Sequence, residues 1–399
     1  MIIPAELINK RVPFQFMGER LFFDLSHALF SSFKIDDGSR LLLKTLAKHG
    51  NLATRRSILD VGCGVGTLGL SLKKAIPDAK LALCDRDALA VEMSLHNAGI
   101  NTIAVDSADT ALMHCLDMSP CDMLVSNVPA KAGGPVHQAF VSDLAGLLNP
   151  GGIAALVIVS PLEDAFRKYT ADAEIEILYE EKTANHLVLH LSAAKVQSKK
   201  KESPEALGAA FRRRGDFELA RLKYSLETVY GLPEFDTPSY GPQAAAAISG
   251  NKAFGKTLFI NPGQGHLAVR LAFGNSLESA ILAGRDLLQL ATAARNLAIQ
   301  TPELPVKIHP APFPAGTAEI KGPFDRICMA LESVPGVPPG YGMQELQKML
   351  KNTGELLVYG KSAEIHLFLK GLTGFELRGN RKYRGFRAVL LRNSAGRQA

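Results

Sequence analysis

Hydrophobic and polar positions along this 399-residue chain switch repeatedly between a period of two and a period near 3.6. The clearest switch lies at 57 to 72, SILDVGCGVGTLGLSL, where a short apolar run meets Asp60, a glycine-rich turn follows, and apolar residues resume at helical spacing. The pattern predicts a strand over 57 to 60 and a helix over 66 to 76. It continues with a strand over 81 to 84 closed by Asp85, a helix over 87 to 98, and strands over 101 to 105, 121 to 126 and 153 to 159. Such alternation predicts a mostly parallel, doubly wound α/β sheet. The stretches IEILYEE and HLVLHLS read as an antiparallel pair at its edge. Upstream, FQFMGERLFFDL is strand-like, and Asp36, Asp37 and Ser39 offer an N-cap to an amphipathic helix in DDGSRLLLKTLAKHG.

Residues 193 to 205, AAKVQSKKKESPE, are polar and lysine-rich, which marks a linker between domains at 1–192 and 206–399. A helix is predicted across ALGAAFRRRGDFELARLKYSLETVYGL, with Arg212, Arg213 and Arg214 on a solvated face or against phosphates. Beyond a loop from Pro233 to Pro242 the first pattern returns in weakened form. ILDVGCGVG at 58 aligns with FINPGQGHL at 259, LALCDRDAL at 81 with AILAGRDLL at 280, CDMLVSNVPA at 121 with FDRICMALES at 324, and LNPGGIAALVIVS at 148 with LKNTGELLVYGKS at 350. Conserved order and spacing predict a tandem duplication of one Rossmann-like domain. The second copy is degenerate: in this alignment Asp60 becomes Asn261, Gly66 becomes Leu267, Asp85 becomes Gly284 and Asn127 becomes Ala330.

Charge adds one feature. The net charge is +6, and the tail from Glu376 to Ala399 carries seven basic residues (Arg378, Arg381, Lys382, Arg384, Arg387, Arg392 and Arg397) against one acidic, so it alone matches the whole chain's excess. With Tyr383 and Phe386 interleaved, this tail suits either single-stranded RNA or an exposed edge hairpin. Five cysteines in no C-x-x-C spacing argue against zinc or a disulfide framework. The absence of a long uncharged apolar stretch or a secretory leader predicts a cytoplasmic protein without a membrane span.

The candidate chemistry sits at strand ends. Gly64, Gly66 and Gly69 fit the dinucleotide spacing G-x-G-x-x-G, while Gly62, Gly64 and Gly66 fit the G-x-G-x-G of methyltransferases, so the loop admits both ligand classes. Asp60 favours a cationic ligand such as S-adenosylmethionine over a pyrophosphate, and Asp85 is placed for both hydroxyls of a ribose. Ser107, at the expected end of the third strand, reads as an adenine contact or a turn residue. After the fourth strand, SNVPA puts Asn127 and Pro129 where ligands bind, and an amide with backbone carbonyls can receive the N–H groups of a planar amine. His137 reads as a helix-start residue rather than a general base. A nicotinamide-dependent oxidoreductase stays open as the competing reading.

These residues resemble the small-domain methyltransferases that modify guanine exocyclic amines in ribosomal RNA. Asn127-Val128-Pro129-Ala130 looks like a variant of their Asn-Pro-Pro-Phe/Tyr, and LFSSFKIDDGSRLLL, LCDRDALAVEMS and LLNPGGIAALVI are similar to neighbouring segments, over residues 12 to 192. The resemblance implies a monomeric N-methyltransferase that uses S-adenosylmethionine, bound at Asp60, Gly62, Gly64, Gly66, Asp85 and Ser107. Asn127 and Pro129 then orient the acceptor and RNA is the partner. Ala130 stands where the family stacks an aromatic ring on the target base. Either another aromatic (Phe16, Phe30 or Phe33) supplies that contact, or the chain is an inactive methyltransferase-like RNA-binding protein. Family members place the degenerate copy first, whereas here it is second.

Overall fold

The computed structural model describes residues 3–30, 32–192, 207–250, 254–274, 277–312, 320–334 and 336–394. The chain forms two compact units, Met1–Ala210 and Phe211–Ala399. The linker expected at 193 to 205 lies outside the described residues.

The first unit opens with an antiparallel hairpin, β1 (Ile8–Phe16) and β2 (Glu19–Ser26), and the helix α1 (Asp37–His49). Then follow β3 (Ser57–Val61), α2 (Thr67–Ala75), β4 (Lys80–Asp85), α3 (Ala88–Ile100), β5 (Ser107–Thr110), β6 (Cys121–Asn127) and α4 (Gly134–Leu147). It closes with β7 (Leu148–Val159), α5 (Glu163–Asp172), β8 (Glu176–Lys182) and β9 (His186–Ser192). Its seven-stranded sheet runs β5-β4-β3-β6-β7-β9-β8, parallel except where β9 pairs antiparallel with β7 and β8. Both faces of its centre are covered, which is why β3, β6 and β7 read as nearly continuous apolar runs. Along β9, Val188 packs with Leu42, Leu70 and Met123 on one face, while Leu187 and Leu189 pack with Phe140, Leu144 and Phe166 on the other.

The second unit repeats this order. A hairpin, β10 (Phe211–Leu219) and β11 (Leu222–Val229), precedes α6 (Tyr240–Ile248), β12 (Gly255–Ile260), α7 (His266–Gly274), β13 (Leu277–Gly284) and α8 (Leu287–Gln300). After them come β14 (Val306–Pro310), β15 (Phe324–Ala330), α9 (Met343–Met349), β16 (Leu350–Lys361), α10 (Ser362–Lys370), β17 (Phe375–Tyr383) and β18 (Phe386–Asn393). The sheet order, β14-β13-β12-β15-β16-β18-β17, matches the first strand for strand. The two units are tandem copies of one α/β fold.

Three expectations need correction. The helix expected across the stretch after the linker is the β10/β11 hairpin, whose turn is made by Ala220 and Arg221 at φ 48° and 65°. Phe217, Leu219, Tyr224, Leu226, Thr228 and Val229 are its buried residues, the first five spaced by two along each strand, with Glu218, Lys223 and Ser225 between them. Residues 101 to 105 form no strand; the third parallel strand begins at Ser107. Finally, the glycine loops of the two copies align two residues away from the match read in the sequence. Gly62, Gly64 and Gly66 have φ 75°, 58° and 85°, and Asn261, Gly263 and Gly265 have φ 55°, 59° and 90°, each set lying between a strand end and a helix start. The counterpart of Asp60 is therefore Phe259, not Asn261, and that of Gly66 is Gly265, not Leu267. Backbone handedness outlived side-chain chemistry because losing it would break the strand-to-helix turn.

The same division shows in an asparagine pair. Asn97 on α3 accepts from the Asp24 amide at 2.8 Å and donates to the Val65 carbonyl at 2.9 Å. Asn296 on α8 does the same with Glu227 and Gln264, at 2.8 and 2.9 Å. In each unit one side chain ties hairpin to glycine loop and keeps buried backbone groups paired.

Candidate functional site

The loop after β3 is held open by backbone contacts from the next strand. The Gly62 and Cys63 amides both donate to the Cys84 carbonyl, at 2.8 and 3.0 Å, and the Gly64 amide donates to Asp85 Oδ2 at 3.1 Å. Asp85 Oδ1 accepts from the Asp87 amide at 3.0 Å, so each oxygen is fixed by one bond and keeps a lone pair. A Cβ added at Gly62 or Gly64 would meet nothing within 4 Å. These two glycines border open space. Gly69 differs: a Cβ there would lie 2.9 Å from Leu83 and 3.0 Å from Asp60 Oδ2, so α2 sits on β3 only because Gly69 has no side chain.

Asp60 lies beneath this loop, fully buried. Its Oδ2 accepts from the Gly69 amide at 2.8 Å, while its Oδ1 has no hydrogen-bond partner among the described residues. Burial pushes its carboxyl up to about 7 against the opposing Gly69 bond, and burial likewise raises Asp85 to about 6. Because both folded values exceed the ordinary carboxylate value, their contribution to stability is greatest below about pH 4 and is lost as pH rises through about 7. At about 1.4 kcal/mol per unit, Asp60 alone lowers stability by roughly 2 to 4 kcal/mol between about pH 5 and about pH 8. Thermal unfolding of ligand-free protein at the two pH values should show this loss, and Asp60→Asn should shrink it.

Ser107 does not lie where the sequence placed it. It opens β5, is exposed, and pairs with Ala82, whereas Thr110 is the residue level with Asp85. The carboxyl edge beside Asp85 is thus formed by Asp109 and Thr110, which sequence reasoning missed because it set the strand several residues too early.

Asn127 ends β6, half-buried. Its Nδ2 donates to Asp36 Oδ2 at 2.7 Å and to Ser39 Oγ at 3.0 Å. Asp36 also caps α1, accepting from the Ser39 amide at 3.0 Å. Since a carboxylate only accepts, the amide orientation of Asn127 is determined: N–H groups toward α1, carbonyl oxygen left to accept elsewhere. Gly38 makes room, because a Cβ there would lie 2.9 Å from Asp36 Oδ2 and 3.0 Å from the His186 ring. The N-cap signal made α1 visible in the sequence, but nothing in the spacing tied Asp36 and Ser39 to Asn127.

Pro129 and Ala130 are exposed and Val128 is buried. The Pro129 carbonyl accepts from His137 Nε2 at 2.9 Å. His137 is 2% exposed, burial holds its pKa below the usual value, and it anchors the loop to α4. Phe16, at 6% exposed, belongs to the core, whereas Phe30 and Phe33 are 77% and 66% exposed. The first unit therefore brings glycine loop, Asp60, Asp85 and Asn127 to one carboxyl edge. Among the described residues no helix is long and apolar enough to cross a membrane, and no group of three or more metal-ligating side chains gathers.

A family model described as methyltransferase small domain matches residues 21–174, which contain the glycine loop, Asp85 and Asn127. The match lies within the first unit. The chain is similar to a ribosomal RNA large subunit methyltransferase G from Shewanella amazonensis, 32% identical over 137 residues, covering 32% of the chain and 35% of the relative. It is also similar to a ribosomal RNA small subunit methyltransferase C from Hahella chejuensis, 34% identical over 136 residues, covering 32% and 37%. The matched stretch thus spans little more than a third of these relatives. The whole chain shares its fold with a T. Thermophilus 16S rRNA N2 G1207 methyltransferase solved with AdoMet and guanosine, at TM-score 0.66 and 17% identity, covering 98% of this chain and 100% of that one. That likeness of fold extends across both units.

Proposed function

We propose that this protein transfers a methyl group from S-adenosylmethionine to a nitrogen, the exocyclic amine of guanine in ribosomal RNA. The observation that carries the reading is the set orientation of Asn127. With both amide hydrogens spent on Asp36 and Ser39, its Oδ1 is presented at the sheet edge as an acceptor. An exocyclic amine that donates to this oxygen is held with its nitrogen in place for attack. Positioning of this kind supplies much of the rate for such a reaction, and no catalytic histidine is needed. This fits His137 serving as an anchor.

The residues suit the cofactor. The buried carboxylate of Asp60 with an unpartnered oxygen favours a cation nearby, the open faces of Gly62 and Gly64 admit close approach, and the remaining lone pairs of Asp85 suit ribose hydroxyls. When bound, the sulfonium supplies an electrophilic methyl group. In the second unit Phe259, Gly284 and Ala330 stand in place of the three polar residues, so calorimetry should register one site per chain. Asp85→Ala should weaken binding by about 1.5 to 3 kcal/mol, the usual loss for hydrogen bonds to a charged group.

The deciding experiment compares nucleosides of ribosomal RNA from cells with and without the gene by mass spectrometry. The hypomodified RNA is then supplied with purified protein and labelled cofactor. A missing methylguanosine restored in vitro supports the enzyme. If no nucleoside changes and no label is transferred, the chain is a binding protein that lost turnover when the family aromatic became Ala130.

A further inference from the structure

The second unit has lost its cofactor side chains, yet the edge where its acceptor would sit has been rebuilt. By register, Ala330 takes the place of Asn127 and faces Tyr359 where Asn127 faces Val157. Phe386 takes the place of His186, one opposite Lys361 and the other opposite Val159. Just as Gly38 admits the His186 ring, Gly241 admits two rings: a Cβ there would lie 3.1 Å from Tyr359 and 3.3 Å from Phe386. Around them Tyr240 meets Tyr383 edge-on at 5.2 Å and Phe386 at 6.2 Å. Tyr240, Tyr383 and Phe386 are each half-buried.

Arg384 completes the cluster. Its guanidinium donates to the Tyr240 hydroxyl at 3.0 Å and lies 5.3 Å from the Tyr240 ring centre and 5.8 Å from that of Tyr383. It forms with Gly385 the two-residue turn between β17 and β18, at φ 44° and 84°, a position that favours asparagine, aspartate or glycine. An exposed arginine held there against its backbone preference points to use of the side chain. Arg381 and Lys382 are exposed beside it.

We infer that Tyr240, Tyr383, Phe386 and Arg384 form a stacking site for unpaired bases of RNA. The inference rests on the proposed activity for the identity of its RNA. Aromatic faces beside a guanidinium suit bases of any sequence, and the surrounding cations suit phosphates. Duplex RNA would not serve, because its base faces are already stacked.

The test measures binding of a fluorescent single-stranded RNA decamer to the full chain over a range of salt concentrations. Tyr383→Ala is expected to weaken binding about 5- to 150-fold with an unchanged salt slope, since stacking releases no counterions. Arg384→Gly, which relieves the turn and preserves folding, is expected to weaken binding and reduce the slope by about one. Both variants should bind S-adenosylmethionine as the parent does. Parent-like RNA binding by both, or equal affinity for a duplex decamer, overturns the stacking site and leaves the cluster as a cap on the sheet. A chain that shows the expected stacking losses but methylates no nucleoside overturns the proposed activity and not this one.

Discussion

Asn127→Ala is expected to lower kcat for methyl transfer to hypomodified ribosomal RNA by about a hundredfold or more, with S-adenosylmethionine affinity nearly unchanged. The size follows from the cost of mispositioning a reacting group by about 1 Å. Asp36→Ala tests the same step from the other side. Without Asp36 Oδ2 the Asn127 amide loses the acceptor at 2.7 Å that sets its orientation, and the loss should be smaller, because Ser39 Oγ still accepts at 3.0 Å. Steady-state kinetics with calorimetry on both variants separates these effects from loss of the cofactor site. Equal turnover by Asn127→Ala and parent would remove Asn127 from the reaction.

Glu355→Ala is expected to destabilise the second unit by about 3 to 5 kcal/mol, measured by denaturant unfolding. Arg326, on β15, is 1% exposed; its guanidinium lies 3.7 Å from the Phe254 ring centre and donates to the Ser249 carbonyl at 2.8 Å. Its ionic partner is Glu355, opposite it on β16. Removing Glu355 takes from the buried guanidinium its only ionic partner among the described residues. The corresponding positions in the first unit are Met123 and Ile153, which also face each other across the sheet. The double replacement Arg326→Met with Glu355→Ile should therefore be neutral or stabilising, since a buried ion pair seldom outweighs its own desolvation.

That pair illustrates what could be read in advance. FDRICMA follows the apolar rhythm of CDMLVSN closely enough to place the strand, but nothing local tells that Arg326 is buried, because its partner lies 29 residues away. The hairpin of the second unit failed for the opposite reason. The stretch read as a helix with Arg212, Arg213 and Arg214 on a solvated face, and only packing against the helices behind it distinguishes the Phe217, Leu219, Tyr224, Leu226 face from helical spacing. The loop alignment failed because three small residues match in more than one frame, and backbone dihedrals rather than residue identity select the frame.

By itself the sequence determined the alternation of strands and helices, the duplication, and the assignment of Asp60, Asp85 and Asn127 to strand ends. These follow from periodicity and glycine placement, which act over a few residues. Tertiary structure decided what those side chains do. Asp60 is buried under Gly69, Asp85 braces the Gly64 amide, and the amide of Asn127 is turned by an aspartate 91 residues away. Contacts of that range depend on how elements pack, and burial sets their electrostatic consequences because it removes the water that would otherwise solvate each group.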